Sequence, residues 1–172
     1  MATIHHPALG ALEFDSDDNC ADVTTNLGGR SISVNIWASP QSATPEKLDR
    51  AASLLKNLPL IDAAVMREIQ ALHASHGNDG VETYMEHHAD NDVIPHAELA
   101  PELGVEAVDE AAILAKLHLI HVGIRTEIKP DWGMDENEVA TLDYSIGSDI
   151  TQYVLAVTLD AAYRVLSINM ES

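Results

Sequence analysis

The C-terminal segment from Asp143 to Ser172 most constrains the fold of this chain, because it alternates apolar and polar residues for longer than any other segment. Every second residue from Tyr153 to Leu159 is apolar, and the same holds from Leu166 to Met170 after a short turn. Successive side chains of a strand point to opposite faces, so a two-residue period gives one buried face and one polar face. The segment therefore predicts two antiparallel strands joined by a turn.

The first forty residues predict a second group of strands. An alternating strand covers Leu9 to Phe14, and two more, Ala21 to Leu27 and Arg30 to Trp37, flank the pair Gly28-Gly29. Glycine adopts the positive φ angles that a two-residue hairpin turn requires, so we expect these two strands to form a hairpin.

The middle of the chain predicts about four helices. Thr44-Pro45-Glu46 places a capping hydroxyl, a proline and an acid where a helix begins, and an apolar stripe follows. Pro59 is expected to end this helix and to start a second one, antiparallel to the first, that ends near Gly77. Two further helices are predicted at residues 81–89 and 107–117, and an irregular segment at residues 92–104.

Two more alternating segments, at residues 118–128 and 138–146, precede the C-terminal pair, so the last third of the chain predicts a four-strand meander. Strands at both ends and helices between them indicate the α+β class, with an antiparallel sheet packed on a layer of about four helices. A chain of 172 residues is expected to form a single domain, residues 1–172.

Composition limits the partners of the protein. Its 28 acids against nine lysines and arginines give a formal net charge of −19. Because the nine basic residues are spread thinly along the chain, we expect neither nucleic acid nor a membrane as a partner. Cys20 has no second cysteine to pair with, and the first residues lack the basic and apolar regions of a signal peptide, which indicates a cytoplasmic protein.

Two histidine pairs stand near carboxylates in the predicted helices. If the fold joined the pairs, they would form a site of two histidines and a carboxylate, as in metal-dependent hydrolases. The first pair also lies in the last turn of its helix, where imidazolium interacts favourably with the helix dipole. We therefore expect no cofactor and keep the metal-dependent hydrolase as the alternative function. The candidate ligands are His73, His76, Glu86, His87, His88 and Asp90.

Other catalytic arrangements are weaker. His118 and His121 are expected on opposite faces of one strand. Asp143 and Asp149 flank the loop before the C-terminal hairpin and could serve as an acid and a base, although turn formation and capping explain both. No motif places a hydroxyl beside a base, so no catalytic residue is predicted.

The charge pattern is the strongest functional hint. From Glu68 to Ala115 the chain has eleven acids and no lysine or arginine. Such a surface is either a solvated acidic face or a docking surface for a basic protein, since an acidic field speeds association and forms charge-assisted bonds to Arg and Lys. The residues predicted to carry docking are Glu82, Glu86, Asp90, Asp92, Glu98 and Glu102.

The motifs LGALEFD, GRSISVNIW and YMEHH, together with LDYSIGSDITQYVLAVTLD and the terminal INMES, resemble a bacterial family known only as a domain of unknown function. The resemblance spans nearly the full chain. Members of that family often have Gly in the final hairpin turn, where this chain has Ala161-Ala162, so the type of that turn stays open. The resemblance implies a small soluble bacterial α+β protein, and it supplies no catalytic or binding residue.

These observations together predict a non-enzymatic, acidic binding protein of the bacterial cytoplasm that docks a basic protein. An immunity protein that neutralises a basic toxin by covering its active surface would have this character. The sequence predicts neither the identity of the partner nor the oligomeric state.

Overall fold

The computed structural model describes residues 2–14, 19–39, 43–126 and 137–172. Within these ranges the chain forms eight strands, with four helices between the fourth strand and the fifth. The elements are β1 (Ala2–His6), β2 (Gly10–Phe14), β3 (Cys20–Leu27), β4 (Arg30–Trp37), α1 (Pro45–Ser75), α2 (Asp79–Ala89), α3 (His96–Leu103), α4 (Glu110–Lys116), β5 (His118–Arg125), β6 (Ala140–Ser145), β7 (Val154–Leu159) and β8 (Val165–Glu171).

All eight strands belong to one sheet, in which they lie side by side in chain order. Neighbouring strands are antiparallel except β4 and β5, which are parallel and align Val34 with Val122. Parallel neighbours need a crossover connection, and all four helices lie within this one. This architecture confirms the predicted α+β class, with strands at both ends of the chain and helices between them.

The predicted hairpin of β3 and β4 is confirmed, and the two strands pair along their whole length. Gly28 and Gly29 have φ angles of 59° and 86°, the left-handed values that a two-residue hairpin turn requires. The first strand, β1, is not predicted by the pattern, because its five residues contain only a short alternation. It pairs with β2 and places Ile4 opposite Leu12.

The expectation that Pro59 ends the first helix is wrong, since α1 continues through it for 31 residues. A proline inside a helix costs about 3 kcal/mol, whereas each buried Leu or Ile contributes about 1.5–3 kcal/mol. The apolar stripe keeps its spacing of three or four residues across the proline, so tertiary packing outweighs the local cost. Its buried members are Leu48, Ala51, Leu54, Leu58, Ile61, Val65 and Ile69.

The segment predicted to be irregular, residues 92–104, contains the helix α3. Pro95 occupies its N-cap position, where a missing amide hydrogen removes no helical bond, and Gly104 ends it with a φ of 72°. The next helix, α4, begins later than predicted because the Asp109 side chain caps it, accepting a 2.8 Å hydrogen bond from the Ala112 amide.

The predicted C-terminal meander is confirmed, with β5 to β8 pairing in sequence. Residues 127 and 128 of the predicted fifth strand lie outside the described residues. A register shift between Thr158 and Leu159 inserts one extra residue into β8. That residue is Leu166, which is 41% exposed instead of lying on the buried face.

The final hairpin turn has its left-handed residue at Tyr163, with a φ of 61°, and not at either alanine. Asp160 supports this turn, because one of its carboxylate oxygens accepts hydrogen bonds from the amides of Ala162 (2.8 Å) and Arg164 (2.9 Å). These bonds from the Arg164 and Ala162 amides, with that from the Arg164 guanidinium, lower the pKa of Asp160. A side-chain acceptor therefore replaces the conformational freedom that glycine would give.

The helices cover one face of the sheet. Alternate residues of the central strands, such as Val34, Val122, Leu142 and Val157, are fully buried and join the α1 stripe in one hydrophobic core. We call the opposite face, which carries the intervening and mostly polar side chains, the open face. In the part of the chain that the structure describes, no helix combines the length and apolar character that crossing a membrane requires.

Candidate functional site

The residues from Asp79 to Glu110, which we call the acidic helical layer, contain no lysine or arginine. Some of their acids have local roles. Asp90 accepts a 2.8 Å hydrogen bond from the Asp92 amide and closes the turn after α2, and Asp109 caps α4. In contrast, Glu86, Glu98 and Glu102 are exposed, and their carboxylates form no hydrogen bond or ion pair within the described residues. These unpaired carboxylates are available to a partner.

A cleft of about 390 Å³, which we call the acidic cleft, lies between α3 and the loop that joins β6 to β7. Three carboxylates line it, those of Glu98, Glu102 and Asp149, and no lysine or arginine among the described residues does. Lys116 lies nearby and donates to the backbone carbonyl of Glu102 at 2.7 Å. Its remaining lining is apolar and consists of Ile94, Leu99 and Ile150. The fold therefore adds Asp149 to two of the residues predicted for docking, and it gives the acidic surface a concave feature.

The first predicted histidine pair lies near the end of α1 and contacts carboxylates of two other helices. His76 Nδ1 is 2.7 Å from Glu82 Oε2. His73 lies farther away, 3.5 Å from Glu82 Oε1 and 3.6 Å from Glu110 Oε2. At 3.5 Å the first contact is too long to satisfy either atom, so His73 Nδ1 and Glu82 Oε1 are buried without a hydrogen bond. The cluster links α1, α2 and α4 electrostatically.

Titration of this cluster is shifted in the directions that an ion pair produces. The hydrogen bond to Glu82, with the charge of that carboxylate, raises the pKa of His76. The same hydrogen bond lowers the pKa of Glu82. Each partner therefore favours the charged form of the other.

The second pair, His87 and His88, is placed elsewhere, against the loop between β6 and β7. His88 is fully buried, with Nδ1 2.8 Å from the Tyr84 carbonyl and Nε2 3.0 Å from Thr151 Oγ1. Burial lowers the pKa of His88, so the ring is neutral: Nδ1 donates to the carbonyl and Nε2 accepts from the hydroxyl. His87 packs edge-on against Tyr153, with ring centroids 4.5 Å apart.

The two predicted histidine pairs therefore do not meet. Among the described residues, no group of three or more His, Cys, Asp and Glu side chains is arranged to hold a metal ion. The two carboxylates predicted as ligands do not complete a site with either histidine pair. Glu86 is exposed, and Asp90 closes a turn. The metal-dependent hydrolase stays a prediction without a structural observation in its favour.

A hydrogen-bonded row of four side chains crosses the open face, and the sequence did not reveal it. Asn35 Nδ2 donates to Asp22 Oδ1 at 2.5 Å, which joins β4 to β3. His121 on β5 then bridges to β4 and β6, with Nε2 2.6 Å from Asn35 Oδ1 and Nδ1 2.7 Å from Asp143 Oδ2. We call Asp22, Asn35, His121 and Asp143 the polar row.

The hydrogen bonds of the polar row determine the orientation of the Asn35 amide. A carboxylate only accepts, so the amide nitrogen of Asn35 must face Asp22 and its oxygen must face His121. His121 Nε2 therefore donates to Asn35 Oδ1, and Nδ1 faces the carboxylate of Asp143. The ring is held between two acceptors.

The side chains of the polar row bond one another, and the thiol of Cys20 also donates to Asp22 Oδ1, at 3.9 Å. Asp143 binds His121 across two strands, while Asp149 lines the acidic cleft, so the structure does not use them as a pair. A second polar group of the open face is also internally paired: Arg125 donates to Glu138 and lies 5.1 Å from the centre of the Trp37 ring. Most polar groups named on the open face are thus bonded within the protein, with Arg125 Nε as an exception among the described residues. The helical layer carries exposed carboxylates without a partner among those residues.

Comparisons of this chain with protein-family models, with curated proteins and with solved structures gave no match. The bacterial family resemblance stays a prediction from the motifs, and the function must be inferred from the geometry of the chain itself.

Proposed function

We propose that this is a non-enzymatic binding protein that docks a basic protein on its acidic helical layer. The observation that supports the proposal most directly is the acidic cleft, where Glu98, Glu102 and Asp149 surround an apolar floor without a cation in the lining. Carboxylates that line the same cleft create a negative potential there, and this potential attracts a cation.

A lysine or arginine side chain has the chemistry that this cleft accepts. The aliphatic stem of such a side chain packs on apolar surface while its charged head stays among polar groups. The apolar floor would contact the stem, and the three carboxylates would accept charge-assisted hydrogen bonds from the head. Arginine presents five donors, so it can satisfy more of these acceptors than lysine can.

The surrounding surface would guide such a partner to the cleft. Glu86 and Asp92 are exposed beside α3, and the formal net charge of −19 extends the attraction over the whole protein. Fields of this kind raise association rates, and salt screens them over about 8–10 Å. A basic toxin neutralised by occlusion of its active surface would fit, in the manner of an immunity protein.

A charge-matched pair of variants tests the proposal. The cleft variant carries Glu98→Gln, Glu102→Gln and Asp149→Asn, and the control variant carries Glu13→Gln, Glu68→Gln and Glu171→Gln. Both neutralise three acids and change the formal charge from −19 to −16. Proteins captured from lysate by the immobilised wild type are identified by crosslinking and mass spectrometry, and their affinity for each variant is then measured at low and moderate salt.

We expect the cleft variant to lose roughly tenfold or more in affinity, the equivalent of one charge-assisted hydrogen bond, and the control to keep its affinity within about twofold. Crosslinks should join the partner to α3 and to the loop between β6 and β7. Equal losses in both variants would mean that binding follows net charge alone. Capture of no protein at either salt would remove the support for docking.

A further inference from the structure

Three of the nine basic residues of this acidic chain meet at one place. Lys47, Arg50 and Arg125 line a cleft of about 400 Å³ between the first turns of α1 and the end of β5. We call it the basic cleft. Its volume is close to that of the acidic cleft, but the charge of its lining is opposite.

The cations of the basic cleft differ in how far they are already paired. Lys47 is partly buried and has no hydrogen bond or ion pair within the described residues. Arg50 has one exposed contact, 3.4 Å from Glu46, of a kind that contributes little. Arg125 donates to Glu138, yet its Nε is buried without an acceptor among the described residues. The ammonium of Lys47 is therefore the clearest unsatisfied donor at this cleft.

The rest of the lining is suited to an apolar body. Leu54 and Ile124 belong to the hydrophobic core, and Val139 and Tyr163 pack against it. Clefts of roughly 300–1,000 Å³ with apolar walls and a few converging polar groups are typical of small-molecule sites. The first turn of α1 also lies here, so the positive end of the helix dipole adds to the attraction for an anion.

From this arrangement we infer that the basic cleft binds a small amphipathic carboxylate, with its charged group near Lys47 and its apolar body against Leu54, Ile124 and Val139. Among the described residues, Glu46 contacts Arg50 and Glu138 contacts Arg125, so Lys47 is the cation of this cleft without a carboxylate contact. That balance suits a monoanion better than a phosphate dianion, since a second negative charge would meet the field of a chain with a net charge of −19. The site is separate from the proposed docking surface.

Binding of octanoate to the full chain tests the inference, with octanamide as the uncharged analogue. We expect octanoate to bind about tenfold more tightly, since only the carboxylate forms charge-assisted hydrogen bonds. In NMR titrations of the wild type, the signals of Ile124 and Val139 should move, and those of Ile94 and Ile150 in the acidic cleft should not. Octanamide binding equally well, or shifts confined to other residues, would overturn the inference.

A matched pair of lysine substitutions locates the charge. Lys47→Met should weaken octanoate about tenfold, whereas Lys56→Met, a change of equal charge on the same helix outside the cleft, should leave the affinity within about twofold. Equal effects of the two substitutions would contradict the assignment. If Lys47→Met does not fold, the NMR titration of the wild type alone decides whether octanoate binds in the basic cleft. Tighter binding of octyl phosphate than of octanoate would contradict the preference for a monoanion.

Discussion

The open face of the sheet and the acidic helical layer both carry many polar residues, but they use them differently. On the open face, Asp143 and Asp22 each bond a neighbour on the next strand. On the helical layer, Glu86, Glu98 and Glu102 point to solvent without a bonded partner among the described residues. The carboxylates of the open face therefore form hydrogen bonds within the protein, whereas those of the helical layer remain available to a partner.

The difference follows from the two kinds of secondary structure. In a sheet, register brings side chains of different strands to about 4.5–5.5 Å, so a histidine or an amide meets an acid directly. On a helix, the neighbours of Glu98 three and four residues along are set by its own segment, which supplies Pro101 and Glu102 and no base. Charges that the helix cannot pair internally are the ones a partner protein can reach.

The largest loss of stability is expected at the contact between α2 of the helical layer and β8 of the sheet. An added Cβ at Gly80 on α2 would lie 2.5 Å from the carbonyl oxygen of Ile168 and 2.8 Å from the Cα of Asn169 on β8. Backbone cannot move aside cheaply, so Gly80→Ala should destabilise the protein by about 3 kcal/mol, the upper part of the range for overpacking. Urea unfolding measures the loss.

Gly77→Ala is the control, because its added Cβ would meet only the side chains of Ser75 (2.9 Å) and Leu72 (3.3 Å) at close range. Side-chain ends can rotate, so its loss should stay below about 1 kcal/mol. Equal losses at the two glycines would show that the contact between α2 and β8 is not tight.

The next effect concerns the polar row. Asp143→Ala leaves His121 Nδ1 without its acceptor, and because both side chains are only 22% and 27% exposed, it should cost about 1.5–3 kcal/mol. Asp143→Asn keeps an acceptor and should cost less. Asp149→Ala, in the exposed acidic cleft, should change the free energy of unfolding by under about 0.5 kcal/mol. Similar losses at Asp143 and Asp149 would abolish the contrast between paired and unpaired carboxylates.

A smaller effect on stability, confined to a defined pH range, is expected from the ion pair of His76 and Glu82. The pKa of His76 lies above its ordinary value of 6.5, so its stabilisation is complete below that pH and is lost as pH rises through the raised value. The pKa of Glu82 lies below 4.5, so its stabilisation is complete above that pH and is lost as pH falls through the lowered value.

The stability difference between the wild type and Glu82→Gln should therefore be largest between about pH 4.5 and 6.5 and shrink on both sides. Denaturant unfolding across pH measures it, with Glu86→Gln as a control of equal charge change. A difference that keeps growing above the raised pKa of His76 would contradict the pairing.

The smallest effect on stability is expected on the unpaired acids. Neutralising Glu98 and Glu102 together removes like-charge repulsion, which is worth a few tenths of a kcal/mol per pair, so the fold should be unchanged or slightly more stable. Partner affinity should nevertheless fall. Thermal unfolding and binding assays on the same variant would separate the two quantities, and a loss of more than about 1 kcal/mol would reveal a structural role.

Much of the fold could be predicted because its signals are local. Alternation over β3, β4 and β6 to β8, and the Gly28-Gly29 turn, each depend on a few adjacent residues. The interpretation of Pro59 and Leu166 was wrong because neither outcome depends on adjacent residues alone. Tertiary packing keeps Pro59 inside a helix, and a β-bulge turns Leu166 away from the buried face. Neither effect is visible in a local pattern.

The sites were less predictable because they join distant segments. Glu98 and Glu102 were recognisable as acids, but Asp149 reaches the acidic cleft only through the loop after β6. The bond between Asn35 and His121 spans 86 positions and exists only because β4 and β5 are neighbours. The basic cleft likewise combines α1 with the end of β5, so the distance along the chain between Lys47 and Arg125 concealed it.

The single parallel pairing has a consequence for the order of folding. Every other strand pair is antiparallel and joins strands adjacent in the chain, whereas β4 and β5 are separated by residues 38–117. Closing a long loop costs more entropy than closing a short hairpin, so we expect the two antiparallel arrays to nucleate separately and to merge late. Since the acidic helical layer lies inside that loop, the proposed docking surface would form only at this last step.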